Sequence, residues 1–184
     1  MGLAPSLADP GADAPTSNGW TVGRVLTVVA VLVIVGFWAW IFAGGPEKAN
    51  PDYLSDRTFA EWAQGQCAAT NRRIDDLQPA RDAPSAVERA TVIDQASDEL
   101  TLLVDDLEAK APSSGDDATR MQGWVRDWRT WIQDRRRYAV ALRADPRAQF
   151  LVSTNQAGDS VDRPIKNFAD INDIPECDPP LDVG

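Results

Sequence analysis

Residues 124–138 read WVRDWRTWIQDRRRY, three tryptophans and five arginines in fifteen positions. Such a run is either an arginine–aromatic surface for an anion or one amphipathic helix, and the spacing decides. At 100° per residue, Met121, Trp124, Trp128, Ile132, Ala139 and Leu142 share one face, with Trp131 at its border. Arg126, Arg129, Arg136 and Arg137 share the opposite face. Nucleic-acid surfaces interleave rings and cations so that bases stack while phosphates pair. Here the two types are segregated, as in a helix that buries one side. The tryptophans are expected to form core, and nucleic acid is not an expected partner.

Arg135 breaks this order. It falls in the middle of the apolar face, between Trp128, Trp131, Ile132 and Leu142. It is therefore expected to be the one arginine of this helix engaged inside the fold. Upstream, Gln66 and Thr70 fall on the same face as Phe59, Ile74 and Leu77. A charge turned toward a core is costly unless it is paired. One reading pairs Arg135 with a carboxylate downstream, such as Asp170 or Asp173, which would pin the last segment. The other gathers Arg135, Gln66 and Thr70 around a small polar pocket for an anionic ligand.

Outward from this helix, the pattern predicts an all-α chain. Thr58 with Glu61 makes a capping box, opening a helix over about 58–77 that Pro79 ends. Ser85 with Glu88 opens a second, over 86–110, with Ala90, Ile93, Leu100, Leu103, Val104 and Leu107 as its stripe. The third runs over about 117–144, between SSGDD and Pro146. A short fourth, over 164–172, starts at Pro164 and carries Ile165, Phe168 and Ile171 on one face. Short connections make neighbouring helices antiparallel, so the expected fold is an up-down-up three-helix bundle with a short fourth helix. The tail NDIPECDPPLDVG is too proline-rich for regular structure.

Val25 to Ala43, VLTVVAVLVIVGFWAWIFA, is nineteen positions without a charge. As a helix it spans roughly 28 Å, about a bilayer's hydrocarbon core. Trp38, Trp40 and Phe42 cluster at one end and Trp20 precedes the other, in the manner of an aromatic belt. A cleaved signal peptide is the competing reading. The run is long for one, its last turn is filled by bulky rings, and Pro46 follows the only small-residue site. The expected organisation is a disordered tail over 1–24, a transmembrane helix over 25–43, a linker over 44–57 and a helical domain over 58–184.

Arg24 on one flank against Lys48 and Arg57 on the other leaves the positive-inside count nearly tied. The cysteines weigh more. Cys67 and Cys177 lie 110 residues apart with no Cys-x-x-Cys, which suits an oxidising compartment and a disulfide from the first helix to the tail. Two free buried thiols or intermolecular pairing are the alternatives. The expected topology is a single-pass plasma-membrane protein, N-terminus cytoplasmic and C-terminal domain extracytoplasmic.

Composition removes much of chemistry. The chain of 184 residues carries a net charge of −10, with three lysines and no histidine. Ser-His-Asp and Cys-His catalysis, imidazole zinc sites and histidine pH sensing are thereby excluded. The acid pairs Asp75–Asp76, Asp105–Asp106 and Asp116–Asp117 lack the calcium-loop pattern and read as solvated charges. No metal, no cofactor and no enzymatic activity is expected.

The run WVRDWRTWIQDRRRYAVALR, then FLVS, IKNFADIND and a late cysteine just before PP, resembles uncharacterised actinobacterial single-pass membrane proteins. In these a transmembrane helix precedes a helical domain with an early and a late cysteine. The resemblance covers roughly residues 20 to 180. It implies an actinobacterial plasma membrane and no activity. The leading functional expectation is a membrane-anchored interaction module that docks on another membrane or envelope protein. The arginine face Arg126, Arg129, Arg136 and Arg137 and the acidic second helix are its candidate docking surfaces. The alternative is an extracytoplasmic ligand-binding or sensing domain around Arg135, Gln66 and Thr70.

Overall fold

The computed structural model describes residues 22–42, 50–155 and 158–182. These residues form five α-helices and no strand, beyond one isolated antiparallel bridge between Thr154 and Ser160. They divide into two units, Met1–Lys48 and Ala49–Gly184.

The first unit contributes α1, Val22–Phe42. Its 21 residues rise about 32 Å, and it is long and apolar enough to cross a membrane. None of its side chains is buried within the protein. Trp38 stacks on Phe42 at 5.9 Å, which gathers the rings at one end. The helix starts three residues before the expected boundary, so Val22, Gly23 and Arg24 are helical rather than tail. The rest of the expected tail, with Trp20, lies outside the described residues, as do Ala43 and residues 44–49.

The second unit holds α2 (Arg57–Asp75), α3 (Ala86–Lys110), α4 (Gly115–Ala144) and α5 (Asp162–Ile171). Short 3-10 turns lie at Ala80–Asp82 and Pro175–Cys177. The described end of the expected linker belongs to the domain rather than to a spacer: Leu54 is fully buried in the core, and Arg57 already opens α2.

Helix starts show local chemistry at work. The cap of α2 is Asp56, whose carboxylate accepts from Phe59 N–H, and not Thr58 as the capping-box pattern predicts. An aspartate adds charge attraction to the helix dipole on top of the hydrogen bond, so it outcompetes the threonine two residues on. Ser85 caps α3 as expected, its hydroxyl accepting from Glu88 N–H and donating to the Glu88 carboxylate. α4 begins two residues early because Gly115, at φ +82°, supplies the left-handed turn into it. α5 also begins two residues early; Pro164 is then its third residue, where a missing N–H is still harmless.

α3 and α4 run antiparallel, since Asp94 pairs with Arg143, Asp98 with Arg136 and Glu108 with Arg129. The predicted stripe of α3 and the tryptophan face of α4 are buried as expected. Trp124, Trp128 and Trp131 pack edge to face along α4, a favoured arrangement for aromatic quadrupoles. Phe168 of α5 stacks on Trp124 at 4.7 Å, and Trp124 Nε1–H donates to Ile165 C=O. A smaller cluster of Ala80, Ala90, Ile93, Tyr138, Ala139 and Leu142 fills the other end.

Candidate functional site

Arg135 is buried completely, at the centre of the tryptophan face. Its guanidinium makes a two-pronged pair with Asp182, at 2.5 and 2.7 Å. Nε–H donates to Ser97 Oγ at 3.2 Å, and that hydroxyl donates onward to Ile93 C=O. The guanidinium carbon lies 4.9 Å from the Trp131 ring centre. Parallel hydrogen bonds, a ring face and a hydroxyl together satisfy a cation that water cannot reach.

The expected partners Asp170 and Asp173 are not the ones used. Asp170 meets Lys166 and Asp173 meets Arg57. The reason is axial distance: α5 is stacked over Trp124, eleven residues and about 16 Å along α4 from Arg135. Only the last stretch of chain reaches the arginine. Nor are Gln66 and Thr70 brought into its hydrogen bonds. Thr70 is buried but accepts from Arg73, and Gln66 is half-buried.

The tail reaches Arg135 because it is fixed upstream. Cys67 and Cys177 are joined by a disulfide, both sulfurs shielded from solvent. Glu176 N–H donates to Gln64, Asn71 donates to Glu176 C=O, and Lys166 pairs with Asp178 at 2.6 Å. That pairing pushes the Lys166 ammonium above its ordinary pKa. Beside the tail lies an open groove of about 450 Å³, walled by Ile74, Asp75, Leu77 and Arg81 opposite Pro180 and Leu181.

Three of the four arginines expected to form an open docking face are engaged inside the domain. Arg129 meets Asp105 and Glu108 of α3, and the hydrogen bond from Glu108 raises its pKa further above the usual value. Arg136 meets Asp98 and Thr101. Arg137 meets Asp134 of its own helix and Ser153. Arg126 is exposed. Arg129 and Arg136 thus pair with the acidic helix α3, and Arg137 is held by its own helix and by Ser153. Arg135 is nonetheless the arginine of α4 whose side chain is buried, while those of Arg129, Arg136 and Arg137 stay about half exposed.

Sequence reasoning missed three polar groups that tie loops to the bundle, Asp134 and Asn172 buried and Asp117 half-buried. Asp134 is buried and accepts from both the N–H and the hydroxyl of Ser153. Asn172 is buried, accepts from Leu54 N–H and donates to Asp52 and Phe168 carbonyls. Asp117, expected to be solvated, accepts from the N–H groups of Ser55 and Asp56 and pairs with Arg120. Asp127 faces a small cleft with Trp124 and Phe168; burial raises its pKa, and nearby Arg126 only partly offsets this.

Among the described residues no cluster of three His, Cys, Asp or Glu side chains could hold a metal ion. No protein-family model, curated protein or solved structure matches the chain.

Proposed function

We propose that the chain is a single-pass plasma-membrane protein whose α1 crosses the bilayer. Its N-terminus is cytoplasmic, and its extracytoplasmic helical domain docks on another membrane or envelope protein. The observation that carries the anchor is α1 itself, long and apolar enough to cross a membrane and uncharged from Val25 to Phe42. A helix apolar all round needs an apolar surround, and lipid supplies it. The disulfide supports the outside placement of the domain, because buried structural disulfides belong to oxidising compartments.

The domain is read as an up-down-up bundle of α2, α3 and α4, a reading supported by the antiparallel ion pairs between α3 and α4. Its role is non-catalytic. The resemblance to actinobacterial single-pass proteins belongs to the same reading.

Topology is tested by fusing alkaline phosphatase after Gly184 and, separately, a fluorescent protein that matures only in the cytoplasm. An active phosphatase and a dark fluorescent fusion are expected; the reverse pair of results overturns the orientation. Docking is tested by crosslinking intact membranes and recovering the chain in mild detergent. The same crosslinked species should disappear when the domain is exchanged for an unrelated helical bundle on the same anchor.

A further inference from the structure

The pair of Arg135 and Asp182 is lopsided. The cation is wholly inside, whereas the Asp182 side chain is 24% exposed at the mouth of the groove. The chain that delivers this carboxylate has little else to hold it. Among the described residues, Pro179–Asp182 make no main-chain hydrogen bond, and Leu181 is 95% exposed. Pro179 and Pro180 cannot donate one in any case, and they keep the segment extended. Up to Asp178 the tail is fixed by the disulfide and its neighbours; beyond it, among the described residues, Pro179 and Pro180 are half-buried and Asp182 is held by Arg135.

We propose that Arg135 is a carboxylate-recognition site and that Asp182 is its resident, exchangeable occupant. The displacing partner is an extended, proline-containing peptide segment whose one charged group is a carboxylate. The inference rests on the docking reading for the source of that segment. A buried guanidinium cannot be left empty without stranding its charge, so the site exchanges one carboxylate for another rather than opening. The two-pronged geometry selects a planar carboxylate. The groove selects against further negative charge, because Asp75, Glu176 and Asp178 line it against one cation, Arg81. A segment shaped like the tail itself fits these demands.

The test uses the full chain in mild detergent and a peptide of residues 178–184 with Asp178→Ala, capped by a neutral fluorophore at its N-terminus and amidated at its C-terminus, so that Asp182 is its one carboxylate. Peptide anisotropy is read against wild type, Asp182→Ala, and Asp182→Ala combined with Arg135→Met. Saturable binding is expected to Asp182→Ala. It should be at least tenfold weaker to wild type, whose own tail competes at an effective concentration on the order of millimolar. The double variant, and the same peptide carrying Asp182→Asn, should abolish it. No binding to a folded Asp182→Ala chain overturns the proposal, and so does binding that survives Arg135→Met.

If Asp182→Ala fails to fold, the wild-type chain labelled with ¹⁵N-arginine serves instead. Millimolar peptide should shift the Nε–H resonance of Arg135 and the Asn-bearing peptide should not; an unmoved resonance sinks the idea. A crosslinked membrane partner that is retained unchanged in the folded double variant would leave the docking reading standing and remove this one.

Discussion

The α3–α4 seam and the C-terminal tail both use arginine–carboxylate pairs, but in opposite ways. The seam has several, all half in water: Arg143 with Asp94, Arg136 with Asp98, Arg129 with Asp105 and Glu108. The tail region has one pair whose cation is sealed from solvent, and one disulfide. Exposed pairs gain little over their hydration, whereas a buried charge that loses its partner is stranded. The seam is therefore held by its apolar stripe and only put in register by its charges. The tail is held by a few contacts, the disulfide and the Arg135–Asp182 pair among them.

The disulfide gives the largest expected contrast. Replacing Cys67→Ser and Cys177→Ser together opens a loop of 110 residues, which costs about 4–5 kcal/mol in the chain-entropy model. Denaturant titration of the second unit measures it. A loss below about 1 kcal/mol would mean the tail docks without its staple.

Arg135→Ala comes next, with an expected loss of roughly 3 kcal/mol or more as Asp182 loses its partner and Trp131 its cation. Exchanging both members, Arg135→Met with Asp182→Leu, should recover most of that loss, since apolar replacements of buried pairs are often neutral. If the double exchange is as damaging as the single one, charge stranding is not the cause.

Asn172→Ala should cost about 1–3 kcal/mol. It leaves Leu54 N–H and the Asp52 carbonyl unpaired where the chain joins the bundle. Hydrogen exchange at Leu54 should accelerate in step with the stability loss; an unchanged Leu54 would assign the Asn172 contact no structural part.

How much of this was legible follows from what a helix wheel can see. Periodicity placed the four helices of the domain and singled out Arg135, because both depend on residues within one element. The cysteine pair was legible because a chain with two cysteines offers one intramolecular disulfide. The partner of Arg135 was not, since Asp170, Asp173 and Asp182 are equivalent on paper until α5 is docked over Trp124. Asp134, Asn172 and Asp117 were invisible for a related reason: each satisfies backbone N–H groups of a loop that no periodicity describes. The arginine face was misassigned as free surface because a wheel separates polar from apolar but cannot tell water from an acidic neighbour.

Asp127 offers a smaller effect with a sign of its own. Burial raises its folded pKa above 3.8, so the folded chain binds the proton more tightly than the unfolded one. Stability should therefore fall as pH rises from about 3.8 through the raised value. Asp127→Asn should remove that slope and leave the domain at least as stable as wild type at neutral pH. A variant that is less stable than wild type at neutral pH would show an unseen favourable contact.

Arg129→Ala tests the seam at its most crowded ion pair and should have the smallest effect, about 0.5 kcal/mol. Arg129 stays charged at every accessible pH, so its contribution should be tuned by salt rather than by protons. The screening length shrinks from about 10 Å at 0.1 M to about 3 Å at 1 M. The deficit of Arg129→Ala relative to wild type should therefore fade at high salt, because wild type loses the same attraction. The deficit of Arg135→Ala should persist, since ions do not enter a guanidinium site closed by Trp131, Ser97 and Asp182. Measuring both variants at the two salt concentrations separates burial from number as the source of stability. If Arg129→Ala costs as much as Arg135→Ala and keeps its deficit at about 1 M salt, the seam is an electrostatic lock, and the contrast between the two regions fails.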